Sequence, residues 1–391
     1  MEIGNLDRAH IPSIRDAANL RGKRIVLRLD LNVPLTPQGE VADDFRIRKV
    51  LPTLALLGER GALVRAVSHI DGAGGSLRAV ADYMVRHLGV ALTFVPEMAH
   101  PQAALVLERQ SPREIVLFEN IRREPGEERN DPAFAERLAG LGDVYVNDAF
   151  SVSHRPHASI VGVPKLLPSY TGLQFTDEIE HLSQAFDPPR PFIFIIGGIK
   201  FSTKLPLVRK FLDIADAVFV GGALANDIFR ARGLSVGKSV VSEEALDLSG
   251  IVNHPKLLTP SDVRVRPADD PREEAAHLAR PENVSADEII MDAGPATLEA
   301  LRESIGSAAF IVWNGPLGDY EHDFEEGTEA LAALIAAALG RSVVGGGDTI
   351  AAISRLKLEA KFTFVSTGGG AMLDFLADSM LPGLEALMAR V

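Results

Sequence analysis

Runs of apolar, largely β-branched residues recur along this 391-residue chain without polar alternation, and this feature constrains its fold most. Examples are Arg24-Ile25-Val26-Leu27-Arg28-Leu29-Asp30, Glu114-Ile115-Val116-Leu117-Phe118, Phe192-Ile193-Phe194-Ile195-Ile196 and Ala217-Val218-Phe219-Val220. Phe310-Ile311-Val312-Trp313, Ser342-Val343-Val344 and Phe362-Thr363-Phe364-Val365 continue the series. A strand that faces water on one side alternates apolar with polar residues. One that is apolar throughout is buried on both faces, in a parallel sheet covered by helices. Each run leads into a glycine-containing turn and an amphipathic stretch, so the chain reads as doubly wound α/β.

At about 150 residues per domain, the length accommodates two such sheets. A segment near 166–186 has Pro164 and Pro168 before it and Asp187-Pro188-Pro189-Arg190-Pro191 after it. This pattern predicts a connecting helix over 169–186 between domains at 1–168 and 187–374. The stretch Val263–Pro281, rich in charge, proline and alanine, is expected to be a surface excursion.

Composition excludes several classes of function. No stretch approaches the roughly 20 apolar residues of a membrane helix, and Met1-Glu2-Ile3-Gly4 has no basic segment leading into an apolar core, so neither a span nor a secretory signal is expected. With no cysteine there is no disulfide, thiolate metal site or Cys nucleophile, which fits a cytoplasmic protein. A net charge of −13 argues against binding nucleic acid. A small anion stays possible if arginines gather in one pocket.

In the second half, five strand ends run into glycine: Gly197-Gly198-Ile199-Lys200, Gly221-Gly222-Ala223, Asn314-Gly315-Pro316, Gly345-Gly346-Gly347-Asp348-Thr349 and Gly368-Gly369-Gly370. In a parallel sheet they share the carboxyl edge, where ligands bind. Any one cluster could simply close a tight turn, but five together point to a nucleotide, held by backbone N–H groups and helix N-termini. Lys200 and Lys204, four apart at a helix start, can face one anion. Asp348 can cap its helix or hold Mg²⁺ between two phosphates. Gly233-Leu234-Ser235-Val236-Gly237-Lys238-Ser239 has one residue too few for a Walker A loop and precedes no helical pattern. No dinucleotide fingerprint follows a strand either.

The first half instead carries arginines and histidines at strand ends. Asp30-Leu31-Asn32-Val33-Pro34, Asp43-Asp44-Phe45-Arg46-Ile47-Arg48, Ser68-His69, Glu119-Asn120-Ile121-Arg122 and His154-Arg155-Pro156-His157-Ala158-Ser159 are the main groups. Arginine's planar fork suits carboxylate and phosphate. Together with Val146-Asn147-Asp148-Ala149-Phe150, Trp313-Asn314-Gly315-Pro316, Ser366-Thr367-Gly368-Gly369-Gly370-Ala371 and the other glycine motifs, these groups resemble the phosphoglycerate kinase family in order and spacing, over essentially the whole chain.

The resemblance implies two Rossmann-like domains joined by a hinge helix, with the C-terminal tail from about 375 packed back on the first domain. It places Asp30, Asn32, Arg46, His69, Arg122 and Arg155 around 3-phosphoglycerate in the first domain. It places Lys200, Lys204, Gly221, Gly222, Asn314, Glu321, Gly346, Gly347, Asp348 and Thr349 around ATP or ADP in the second, with Asp348 on Mg²⁺ and Glu321 on the ribose hydroxyls. Arg46 and Lys200 correspond to the residues that stabilise the transferring phosphoryl group. A monomeric, cytoplasmic enzyme with small-molecule partners, neither nucleic acid nor membrane among them, completes the expectation. Its reaction is reversible transfer between ATP and a carboxylate, which needs no covalent enzyme intermediate and no general base. Domain closure would bring the two ligands together.

Three departures stand out. The family's His-Leu-Gly-Arg-Pro loop is here the shorter His69-Ile70-Asp71-Gly72-Ala73-Gly74-Gly75, with Gly72 in the arginine's place and Asp71 adding a negative charge. Thr203 stands where an aspartate is usual, and Ala296 where a polar residue is. The first of these raises the alternative of a family member acting on a different carboxylic acid.

Overall fold

A computed structural model describes residues 11–72, 75–98, 101–270 and 272–389. The chain divides into two compact units. One runs through Glu180 and takes in the residues from Asp378 onward, and the other spans His181–Ala377.

The first unit is built on β1 (Arg24–Leu29), β2 (Leu63–Val67), β3 (Leu92–Val95), β4 (Ile115–Phe118), β5 (Val144–Asp148) and β6 (Ser169–Thr171). All pair in parallel, in the order β3-β4-β2-β1-β5-β6. The apolar run of β1 is buried on both faces, as its lack of alternation requires. The helix Phe45–Glu59 buries Ile47, Val50, Leu54 and Leu57 against it, a stripe at helical spacing. The C-terminal helix Pro382–Met388 packs within this unit, and the Gly383 N–H donates to Ser153 O at 2.9 Å.

The second unit has β7 (Phe192–Ile196), β8 (Ala217–Val220), β9 (Leu257–Leu258), β13 (Phe310–Asn314), β14 (Arg341–Gly345) and β15 (Phe364–Val365), again parallel, in the order β15-β14-β13-β7-β8-β9. Every residue of β7 and β13 is buried. The helix Phe201–Ile214 covers one face, with Phe211 stacked on Phe194 at 4.1 Å between ring centroids.

Two expectations need correction. The stretch Val263–Pro281 is no surface excursion: it holds β10 (Val263–Pro267) and β11 (His277–Ala279), which join β12 (Glu288–Ala293) in an antiparallel sheet. Val263 and Val265 are buried between Arg264 and Arg266, the alternation of a strand with one wet face. The segment 169–186 is not helical throughout, since Ser169–Thr171 pairs as β6 with β5, and the helix begins at Leu173.

Candidate active site

In the first unit, β1 lies between β2 and β5, so the chain departs in opposite directions on its two sides. Such a switch point opens a crevice at the carboxyl ends of the strands. Asp30 follows β1 there and is buried. Its Oδ2 accepts from Arg46 Nη1 at 2.6 Å and from Ser151 Oγ at 2.6 Å, and its Oδ1 from the Asn32 N–H at 3.1 Å. Arg46 reaches it from the first turn of the helix Phe45–Glu59.

His69 follows β2 and is buried, with Nδ1 3.1 Å from Arg28 Nη2. A guanidinium only donates, so Nδ1 accepts and the ring is the neutral Nε2–H form. Burial first, then the charges of Arg28, Arg122, Arg46 and Arg155, push its pKa far below the usual range. Four arginines far apart in the chain thus act on one imidazole. Such convergence is not visible in a sequence.

Arg28 adjoins His69 from within β1, and a charge inside an otherwise apolar run is the one sequence signal for it. Its Nε donates to Ser159 Oγ at 3.0 Å, and that hydroxyl donates to Glu127 Oε1 at 2.5 Å. Glu127 Oε2 accepts the Ser159 N–H at 2.9 Å. Burial raises the Glu127 pKa while Arg28 opposes the rise. His157 lies close by, its pKa lowered to about 4 mainly by burial.

Asn32 and Arg122 meet at Asp71. Asn32 Nδ2 donates to Asp71 Oδ2 at 2.8 Å, the Asp71 N–H donates to Asn32 Oδ1 at 2.9 Å, and Arg122 Nη1 pairs with Asp71 Oδ1. Arg122 Nε is buried with no hydrogen-bond partner. Arg155 is exposed, and its Nε donates to His154 Nε2 at 3.3 Å.

In the second unit the switch point lies between β7 and β13. Their two turns interlock: the Gly197 N–H donates to Asn314 O at 2.9 Å and the Gly198 N–H to Pro316 O at 2.8 Å. Gly315 has φ +92°, and a Cβ there would overlap the Gly197 backbone. At Gly221 a Cβ would come within 2.6 Å of Leu317, and at Gly222 within 2.6 Å of the Gly198 N. These glycines fit the turns to one another. Gly347, by contrast, faces open space.

Lys200 is exposed and left-handed at φ 64°, capping the helix Phe201–Ile214, a strained setting for a residue with a side chain. Thr203 Oγ1 donates to Lys200 O at 2.9 Å and so steadies that turn. Lys204 Nζ donates to Gly197 O at 2.7 Å, and burial lowers its pKa to about 8 against the pull of Asp348. Thr349 Oγ1 accepts the Gly315 N–H at 3.0 Å, and Asn314 Nδ2 lies 3.6 Å from Met372 Sδ. Ala296 needs no polar side chain to cap its helix, since its N–H donates to Asp262 Oδ2 at 3.0 Å. The side chain of Glu321 lies outside the described residues.

A cavity of about 330 Å³ is lined by Gly198, Gly222 and Asp348, and also by Ile290, Met291 and Leu317. The apolar residues of β12 carry no strand-end glycine signal, because β12 lies outside the parallel sheet. A flat apolar ring suits the latter group, and phosphates suit the glycine turns and lysines. A second hollow, lined by Lys200 and Ser202, shares Ile199, Ala223 and Val240 with the first.

Among the described residues no three His, Asp or Glu side chains gather to hold a metal alone. Asp348, exposed in the first turn of the helix Gly347–Arg355, offers one carboxylate. That fits Mg²⁺, which binds through one or two carboxylates and the substrate's phosphates. No helix among the described residues is long and apolar enough to cross a membrane.

A family model described as phosphoglycerate kinase matches residues 14–379. The phosphoglycerate kinase of Moorella thermoacetica is 40% identical over 388 residues, covering 95% of this chain and 98% of the relative. That of Caulobacter vibrioides is 41% identical over 391 residues, covering 95% and 98%. Among solved structures, phosphoglycerate kinase from Coxiella burnetii has a TM-score of 0.82 at 35% identity over 97% of this chain and 99% of that one. The enzyme from Pyrococcus horikoshii has a TM-score of 0.84 at 30% identity, covering 96% and 98%.

Proposed function

The chain belongs to the phosphoglycerate kinase family, and we propose that it transfers a phosphoryl group reversibly between MgATP and the carboxylate of 3-phosphoglycerate. A carboxylate oxygen of the acid attacks the γ-phosphorus, the bond to the β–γ bridging oxygen breaks, and ADP leaves. The observation that carries this reading is that Arg28, Arg46 and Arg122 reach one sheet edge from distant parts of the chain, where they meet His69, Asp30 and Asp71. Arginine forks gathered at one edge of a chain of net charge −13 suit an anion that can take the place of their present carboxylate partners.

In this reading Asp30 holds Arg46 toward the acid, while Asn32, His69, Arg122 and Arg155 form the rest of its site. The nucleotide takes the second unit, with its base against Leu317 and Met291 and its phosphates at Gly222, Asn314, Gly346, Gly347 and Thr349. The Gly221 turn shapes this pocket, and Glu321 takes the ribose. Mg²⁺ on Asp348 and the phosphates would neutralise charge on the leaving group. Lys204 supports the turn after β7, and Lys200 and Arg46 stabilise the charge that develops on the phosphoryl oxygens.

Incubation with MgATP, 3-phosphoglycerate and hydroxylamine tests the reading. Continuous hydroxamate formation with equal ADP release is expected. Hydroxamate from another acid but none from 3-phosphoglycerate would overturn it.

A further inference from the structure

We infer that Asp71 is a built-in stand-in for the acid substrate: its carboxylate occupies the donors of Asn32 and Arg122, and the incoming acid must displace it. The inference rests on the function proposed above, since that reading assigns both donors to the acid.

Asp71 is more than half of a surface ion pair. Both of its carboxylate oxygens and its own N–H are engaged, two of the three by opposite ends of one amide, that of Asn32. The Arg122 side chain is only 12% exposed while that of Asp71 is 61% exposed, so an outer carboxylate covers an inner cation. Arg122 Nε makes no hydrogen bond and faces Glu128 Oε1 at 3.6 Å, so Asp71 holds the Nη1 side of this guanidinium and leaves its Nε to a looser ion pair.

The loop that carries Asp71 is fastened at both ends. Asn120 Nδ2 donates to Ile70 O at 2.7 Å and to Gly75 O at 3.1 Å. Glu119 accepts from Ser76 Oγ at 2.7 Å and from the Leu77 N–H at 2.9 Å. This fastening holds the carboxylate over the site. An arginine restored at position 72 would be a poor probe, because Gly72 has φ +103° and a side chain there is strained. The informative changes are at Asp71 itself.

Anion displacement has a definite kinetic signature. The lost contacts are made in the ground state as well as in the transition state, so removing the competitor changes KM and not kcat. Asp71→Gly is expected to lower the KM for 3-phosphoglycerate by roughly three- to thirtyfold, the worth of a charge-assisted hydrogen bond and an exposed ion pair. Its kcat and its KM for ATP should stay within about twofold of wild type, a loose bound on ground-state effects. Asp71→Asn keeps an oxygen and the loop's shape but removes the charge, and is expected to follow in the same direction.

Calorimetric binding of 3-phosphoglycerate, read beside turnover, keeps the two readings apart. Tighter binding by both variants supports the inference even if 3-phosphoglycerate proves not to be the acid turned over. Equal or weaker binding by both, with thermal midpoints at the wild-type value, overturns it while leaving the kinase reading intact. Absence of 3-phosphoglycerate binding in all three proteins overturns both. Because Asp71 is exposed, failure of either variant to fold would also overturn the inference, by making Asp71 a structural residue.

Discussion

Lys200 carries the sharpest expectation for a single residue. A left-handed lysine at the head of a helix costs backbone energy that a glycine would not, and its side chain stays exposed beside the turn after β7. If that arrangement serves the transferring phosphoryl group, Lys200→Ala lowers kcat by roughly 10²–10³-fold, the usual effect of removing one charge-stabilising donor. Its KM for ATP should move by less than about threefold. Steady-state kinetics with varied MgATP decides this, and an unchanged kcat would return Lys200 to the solvated surface. Lys204, four residues on, is a different case. Burial lowers its pKa to about 8 from the ordinary 10.5. Between these values the unfolded chain binds more protons than the folded one, so folded stability rises with pH through that window. Relative to Lys204→Met, wild type should therefore gain stability from pH 8 to pH 10.5. Urea denaturation of both proteins across that range measures the gain, and a flat difference would show that Lys204 titrates normally. The two lysines look equivalent as a spaced pair in the sequence. Only the fold separates the one that faces solvent from the one that hydrogen-bonds Gly197 O.

Among the elements, the strand-end turns were the most legible feature and the least completely understood. Adjacency of strand and glycine is a local signal, so β7, β8, β13, β14 and their turns follow from the sequence. Which atoms the glycines accommodate is a question of sheet order, and that depends on residues a hundred positions apart. Gly315 leaves room for the Gly197 backbone, and Gly197 for the carbonyls of Pro316 and Gly315. Gly315→Ala should accordingly destabilise the second unit by about 2–4 kcal/mol, from the positive φ and the backbone overlap together. It should also weaken nucleotide binding, because the Gly315 N–H would leave Thr349 Oγ1. Gly347→Ala, facing open space, should cost little stability; denaturant midpoints and ADP titrations of the pair measure the contrast. The sheet of β10, β11 and β12 is hard to see in the sequence for a related reason. Valine–arginine alternation in β10 is a strand signal, but it lies among prolines and charges, and its partner β12 begins only after a long interval of chain. The proposed acid site is legible in the sequence as a set of residue types at strand ends. The pairing of Asp71 with Asn32 and Arg122 is not, since a carboxylate near arginines in sequence says nothing about which cation it meets.

At the scale of the whole molecule, two compact units each carry a parallel sheet, and the proposed function gives each sheet's carboxyl edge its own ligand. The first edge gathers guanidinium groups around a neutral imidazole, and the second gathers glycine turns, helix N-termini and one exposed carboxylate. Each ligand should then stabilise the unit that holds it, by mass action on that unit's local opening reactions. At a hundredfold excess over Kd the stabilisation is about 2.7 kcal/mol, enough to slow amide exchange through local openings roughly a hundredfold. Hydrogen exchange of the full-length chain reads this directly. MgADP alone is expected to protect the turns after β7, β13 and β14, and 3-phosphoglycerate alone those after β1, β2 and β4. With MgADP the carboxyl edge of the first sheet should keep its exchange rates, and with the acid that of the second sheet should keep its own. Protection of the first sheet's edge by MgADP, with none at the second, would remove the assignment of nucleotide to His181–Ala377 and with it the roles given to Lys200 and Asp348.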